Sequence, residues 1–191
     1  MKLTKKQTLK AGIFLFCSIL LLFMVYKGRA SFKTGRSFAS PFSDAVVELK
    51  DDMVLEQRIL NDCERFQKFE LRFLNLVSGQ TGEIHVVLVN PQNQVISYDS
   101  FDLSSQPEGI LNYTCTVPEQ PAYANAYLLT VQAKNIKGES LPQIQVSESK
   151  NRLAGEFFID GKEQEAQKLW MQLTIDEYHW GRLFLAAVLW I

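Results

Sequence analysis

Histidine is nearly absent from this sequence and cysteine is scarce, with two and three residues among 191. Nucleophilic catalysis of the Ser–His–Asp or Cys–His kind needs a base beside its nucleophile, and only His85 and His179 are available for it. His85 stands in EIHVVLV, where both faces of a strand look apolar, so it reads as a packed strand residue. His179 stands in Tyr178-His179-Trp180, a cluster of amphipathic rings suited to the headgroup level of a membrane. The cysteines lack the C-x-x-C spacing of a zinc site: Cys17 lies in an apolar run, and Cys63 and Cys115 are far apart. Those two either pair as a disulfide on an oxidising face or stand as separate thiols packed as small hydrophobes, and the second reading is preferred. Clustered positive charge is missing as well. With a net charge of −1 and scattered Lys and Arg, the chain has no phosphate-binding surface, so no nucleic-acid partner is expected. Nothing in it calls for a cofactor or a metal.

What is present begins with apolar runs at both ends. Lys2, Lys5, Lys6 and Lys10 precede AGIFLFCSILLLFMVY, which carries no charge until Lys27. The run exceeds the roughly 7 to 15 residues of a signal-peptide core, and Gly28-Arg29-Ala30 is a poor cleavage site, which favours an uncleaved anchor. The closing run, LFLAAVLWI at 183–191, is too short to cross a bilayer core roughly 30 Å thick at about 1.5 Å per residue. It reads as the start of a second membrane helix. The organisation expected is a cytoplasmic basic tail at 1–10, a transmembrane helix at 11–27, a linker at 28–45, an extracytoplasmic domain at 46–178 and the truncated second helix at 179–191. Four basic residues flank the first run on each side, and the free amino terminus tips the balance towards a cytoplasmic N-terminus. The lipid bilayer is thus the first expected partner.

Period-two alternation rules the middle. Phe69, Leu71 and Phe73 share one face against Glu70 and Arg72. Leu111, Tyr113, Cys115 and Val117 alternate with Asn112, Thr114 and Thr116, and Leu169, Met171, Leu173 and Ile175 with Trp170, Gln172 and Thr174. Successive side chains of a strand point to opposite faces, so this is the pattern of half-buried strands. Further strands are expected at 54–60, 83–89, 95–98, 126–133, 142–146 and 156–159. They are separated by turn chemistry such as Asn90-Pro91-Gln92-Asn93 and Asp160-Gly161-Lys162. The one candidate helix in this region is 162–168. Eight or nine short strands at this spacing predict a mainly β fold, an antiparallel two-sheet sandwich of jelly-roll type.

Carbohydrate is held by exposed rings that stack on the sugar. Trp170 is the leading candidate because alternation puts it opposite Leu169, Met171 and Leu173, and Tyr98 is the second, with Tyr123 and Tyr127 behind. The competing reading packs Trp170 under a loop or against the linker. The carboxylate pairs Asp51-Asp52, Asp99 with Asp102, and Glu163 with Glu165 read as solvated turn residues rather than a glycosidase pair.

Several stretches together resemble the N-terminal part of polytopic bacterial envelope proteins, of the kind that includes membrane glycosyltransferases of cell-surface polysaccharide synthesis. They are an opening strand with a Gln (VLEQRIL, 54–60), FELRFLNL (69–76), the strand–turn–strand GEIHVVLVNPQNQVI (82–96), and GEFFIDG (155–161) leading into LWMQLTI. The resemblance implies a β-sandwich ectodomain and carries over no catalytic residue, because any activity would lie in membrane segments beyond this chain. The function expected is non-catalytic binding or positioning on the outer face of the cell membrane, with a glycan or an envelope protein as partner. The alternative is the ectodomain of a membrane-bound sensor.

Overall fold

Alternation over the middle of the chain becomes thirteen strands in the computed structural model, which describes residues 12, 14–20, 33–41, 43–59, 65–118, 126–148 and 154–178. The strands are β1 (Lys33–Ala39), β2 (Val46–Glu48), β3 (Val54–Ile59), β4 (Arg65–Leu76), β5 (Thr81–Val89), β6 (Val95–Asp102), β7 (Gly109–Thr116), β8 (Tyr127–Lys137), β9 (Gln143–Ser147), β10 (Ala154–Ile159), β11 (Lys162–Glu163), β12 (Lys168–Leu169) and β13 (Met171–Tyr178). Six form a sheet in the order β11-β10-β3-β8-β5-β6. Seven form a second sheet along β1-β13-β4-β9-β12, with β2 on β9 and β7 on β4. Every pairing whose register is resolved is antiparallel. β4 is long enough to carry β7 on one side while β13 and then β9 run along the other.

The inward positions of both sheets meet in one core. Leu55, Phe69, Leu71, Phe73, Ile84, Leu88, Leu129, Val131, Ile144, Phe157, Leu169, Met171 and Leu173 are fully buried in it. Antiparallel sheets with one face on a core and one outward are expected to alternate in this way. β6 and β7 close one side of the β-sandwich-like body. Phe101 stacks on Tyr113 at 5.8 Å and meets Phe73 edge-on at 5.3 Å. Tyr113 donates its hydroxyl proton to Asp99 Oδ2 at 3.1 Å, and Ser97 Oγ lies 3.0 Å from Cys115 Sγ.

Gln57 is the polar exception inside this core, fully buried on β3. Its Nε2 donates to the carbonyls of Arg58, Gly155 and Glu156 at 3.0 to 3.2 Å. Its Oε1 accepts the Leu169 N–H at 3.1 Å, tying β3 of one sheet to β12 of the other. Satisfied on both ends, the amide escapes the desolvation penalty of an orphaned buried group.

Three expectations need correction. The stretch expected as linker holds β1, although KTGRSFA has no apolar alternation. Pairing with β13 recruits it, and buried Ser40 exchanges bonds with Met171, donating its N–H to the Met171 carbonyl at 2.8 Å and accepting the Met171 N–H at Oγ at 3.2 Å. The candidate helix at 162–168 is instead the short strand β11, a turn and the start of β12, because Asp160 and Gly161 adopt positive φ and reverse the chain onto β10. The single strand expected through Leu169 and Ile175 breaks at Trp170, whose N–H bonds the Gln145 carbonyl at 3.0 Å.

Gly35–Asp176 make up one compact unit, the body above. The other unit comprises Met1–Thr34 with Glu177–Ile191. Its described part includes helical residues 14–20, on which Phe14, Leu15, Phe16, Ile19 and Leu20 are exposed. Among the described residues no helix is long and apolar enough to cross a membrane. The basic tail at 1–10, most of the segment at 11–27 and all of 179–191 lie outside the described residues.

Candidate functional site

The outward face of the six-stranded sheet is where chemistry-bearing side chains collect. Its registers line residues up across the strands. Phe158 pairs with Glu56, Glu56 with Thr130, Thr130 with Val87 and Val87 with Tyr98, one row crossing β10, β3, β8, β5 and β6. A second row runs Arg58, Leu128, Val89, Val95. Four strand spacings of about 4.8 Å place the ends of the first row roughly 19 Å apart. The inward neighbours Leu55, Gln57, Val86, Leu88, Leu129, Val131 and Phe157 are buried, which directs these rows outward.

A groove of about 660 Å³ opens at one end of this face. Glu56, Arg58, Leu128 and Phe158 form its floor, and the β5–β6 hairpin contributes Asn90, Pro91 and Asn93. Arg58 donates to Glu156 Oε2 at 3.2 Å beside it, with both side chains about half exposed. The hairpin wall is rigid for a local reason. Asn90, 2% exposed, accepts the N–H groups of Gln92 and Gln94 at Oδ1, at 3.0 and 2.9 Å, while Asn93 supplies the left-handed φ of 61° that the turn needs.

On the opposite flank His85 joins two neighbours. Its Nδ1 is 2.7 Å from the Tyr98 hydroxyl and its Nε2 3.1 Å from Glu83 Oε2. Nε2 donates its N–H to the Glu83 carboxylate, which can only accept, and Nδ1 shares a hydrogen bond with the Tyr98 hydroxyl. The His85 side chain is 14% exposed, and Tyr98 is 60% exposed. The face is also unusually apolar for an outward one: Val95 is 61% exposed beside Tyr98, where polar residues are the norm.

Of the residues singled out from sequence, Tyr98 falls on this face and Trp170 does not. Trp170 is half-buried, and its Nε1 is buried with no hydrogen-bond partner among the described residues. The seven-stranded sheet is covered beside it: Gln145 Nε2 donates to the Ser43 carbonyl and Ser147 Oγ to that of Pro41 at 3.2 Å, so strand alternation alone misjudges the exposure there. Tyr127 is turned inward, 2% exposed, and Tyr123, Cys63 and His179 lie outside the described residues. Cys115 is a buried free thiol among the described residues.

The carboxylate pairs serve the backbone. Asp51 Oδ1 accepts the N–H of Ile136 at 3.2 Å, and Asp99 Oδ1 that of Ser100 at 2.8 Å. Asp102 caps the 3-10 turn Leu103–Ser105, accepting both N–H and Oγ–H of Ser104, which hold its carboxyl below the usual 3.8. Tyr113 is shifted the other way: burial first, then nearby Cys115 and Asp99, raises its phenol well above the usual 10.0. Glu163 and Glu165 are exposed. Among the described residues no group of three His, Cys, Asp or Glu is placed to hold a metal ion. Phe158, Glu56, Arg58 and His85 were not picked from sequence as site residues. Phe158 and Glu56 share a face only through strand pairing 102 residues apart in the chain.

No family model matches the chain, and no curated protein matches it. Among solved structures, a chain in the structure of the infectious bursal disease virus Gx strain is similar at a TM-score of 0.33 and 9% identity, covering 77% of this chain and 32% of that one. This chain therefore spans about a third of that neighbour's length. A likeness at this level bears on neither function nor partner.

Proposed function

We propose that this chain is a non-catalytic binding or positioning domain of jelly-roll type in a larger bacterial envelope protein, of the kind that serves cell-surface polysaccharide synthesis. The apolar segment at 11–27 crosses the membrane with the N-terminus in the cytoplasm. The sandwich stands on the outer face. The observation that carries the binding reading is the outward face of the six-stranded sheet, where a groove with both charged and aromatic walls lies beside exposed Val95 and Tyr98. Solvent-facing sheet surfaces that are apolar and rimmed by polar groups mark interaction sites. A binding role also fits the surroundings of His85. Its strand is paired on both sides, and both of its ring nitrogens are engaged, by Tyr98 and by Glu83.

Two measurements test this. In intact cells an impermeant maleimide should label a Ser100→Cys variant made in a background lacking the three native cysteines. Labelling only after permeabilisation places the domain inside and sinks the outer-face assignment. Full-length chain probed against glycans and envelope extracts should retain a ligand that a Glu56→Lys variant releases. Retention unchanged by that variant removes the groove from the reading.

A further inference from the structure

We infer that the outward face of the six-stranded sheet binds an uncharged oligosaccharide laid across the strands from Phe158 towards Tyr98; this rests on the binding reading above and names its ligand class. A pyranose presents an apolar C–H face and a rim of hydroxyls that both donate and accept. Its site therefore needs a flat apolar surface whose polar groups offer both polarities at short range.

The first row supplies this in sequence. The Phe158 ring begins it, the Glu56 carboxylate accepts, the Thr130 hydroxyl donates or accepts, Val87 continues the apolar floor and the Tyr98 ring ends it. Leu128 and Val95 widen the floor in the second row, and Arg58 and Asn93 add donors at the groove. The row is extended, roughly 19 Å by strand spacing, which suits a linear chain rather than a single small molecule.

Charge argues for a neutral ligand. Arg58 is paired with Glu156 and stands on the strand that carries Glu56, while on β5 Glu83 has Lys134 as its cross-strand neighbour. Neither sign has an unopposed cluster with which to hold an anionic or cationic polymer. The His85 bridge fixes the Tyr98 ring and hydroxyl in place at 2.7 Å, so little side-chain freedom is lost when a sugar stacks there.

The test is calorimetric titration of full-length chain, held in a detergent without a sugar headgroup, with cellohexaose, chitohexaose and an oligogalacturonate. Saturable binding of a neutral hexaose is expected, weakened about three- to tenfold by Phe158→Ala and by Tyr98→Ala. It should be untouched by Trp170→Phe. Circular dichroism melts of each variant confirm that it is folded, and Glu56→Gln, which keeps shape and removes charge, must also weaken binding. Neutral binding that ignores Phe158, Tyr98 and Glu56 overturns the assignment of the face, and binding of the oligogalacturonate alone overturns the ligand class. If no saccharide binds, the glycan inference is overturned, and a photo-crosslinker at position 98 in intact cells separates the remaining cases. A protein adduct there leaves the binding reading standing, whereas no adduct removes both.

Discussion

At the scale of single residues, Gln57 shows how much one buried amide organises. Four hydrogen bonds converge on it, and one of them crosses between the sheets. Gln57→Leu keeps the volume but leaves the Leu169 N–H and the freed carbonyls without partners. A loss of about 2–3 kcal/mol in denaturant unfolding is expected. Gly82 is a second such point. Its φ is 122°, and a Cβ there would meet the carbonyl oxygens of Lys134 and Asn135 at 2.8 Å, both backbone atoms that cannot swing away. Gly82→Ala should therefore cost about 2–3 kcal/mol, read as a lower melting temperature. Tyr113 predicts a pH dependence. Its folded phenol is held above the ordinary 10.0 by burial, so its contribution to stability is complete below pH 10 and is lost as pH rises towards and through the folded value. Denaturant midpoints should fall from about pH 10 upward. Tyr113→Phe should flatten that slope while costing about 1 kcal/mol at neutral pH through the lost bond to Asp99. The sequence offered Tyr98 and Trp170 as rings for a ligand, with packing as the competing reading of Trp170; the structure exposes the first and half-buries the second. Alternation reports which side of a strand a residue takes, whereas exposure also depends on what the chain lays over that side.

At the scale of elements, the strands with strong alternation were legible and the weakly patterned ones were not. β4, β7 and β13 follow from their apolar periodicity. β1 does not, because an edge strand gains its hydrogen bonds from its neighbour and needs little apolar pattern of its own. Ser40→Pro removes the N–H that bonds the Met171 carbonyl at 2.8 Å. Faster amide exchange along β1 and β13, with β4 and β5 unchanged, is the expected outcome by hydrogen-exchange mass spectrometry. The β5–β6 hairpin was read correctly from Asn90-Pro91-Gln92-Asn93, and its wall position over the groove makes its stiffness matter. Asn90→Ala deletes two bonds to the Gln92 and Gln94 amides and should cost about 1–2 kcal/mol. On the binding role proposed for the groove, the same variant should also weaken ligand binding there.

At the scale of the whole molecule, the sheets are built from partners distant in the chain. β3 pairs with β8 and β10, and β4 with β13. Loop closure must precede most of these contacts, so refolding in the range of milliseconds to seconds is expected by stopped-flow fluorescence rather than microseconds. The outward face inherits this non-locality. Phe158, Glu56, Thr130, Val87 and Tyr98 come from five strands, and no window of sequence contains more than two of them.

What the sequence determined by itself was local. Period-two alternation set the mainly β class and the inward residues of the central strands, turn chemistry set most of the reversals, and the apolar ends set the expectation of a membrane. These follow from interactions between residues a few positions apart, which a linear reading can see. Tertiary structure alone decided which strands became neighbours, that Gln57 would join the two sheets, that Trp170 would be half-buried, and that His85 would bridge Glu83 and Tyr98 on the outward face. Those outcomes depend on register between distant strands, and register is selected by the fit of the whole core rather than by any single stretch of the chain.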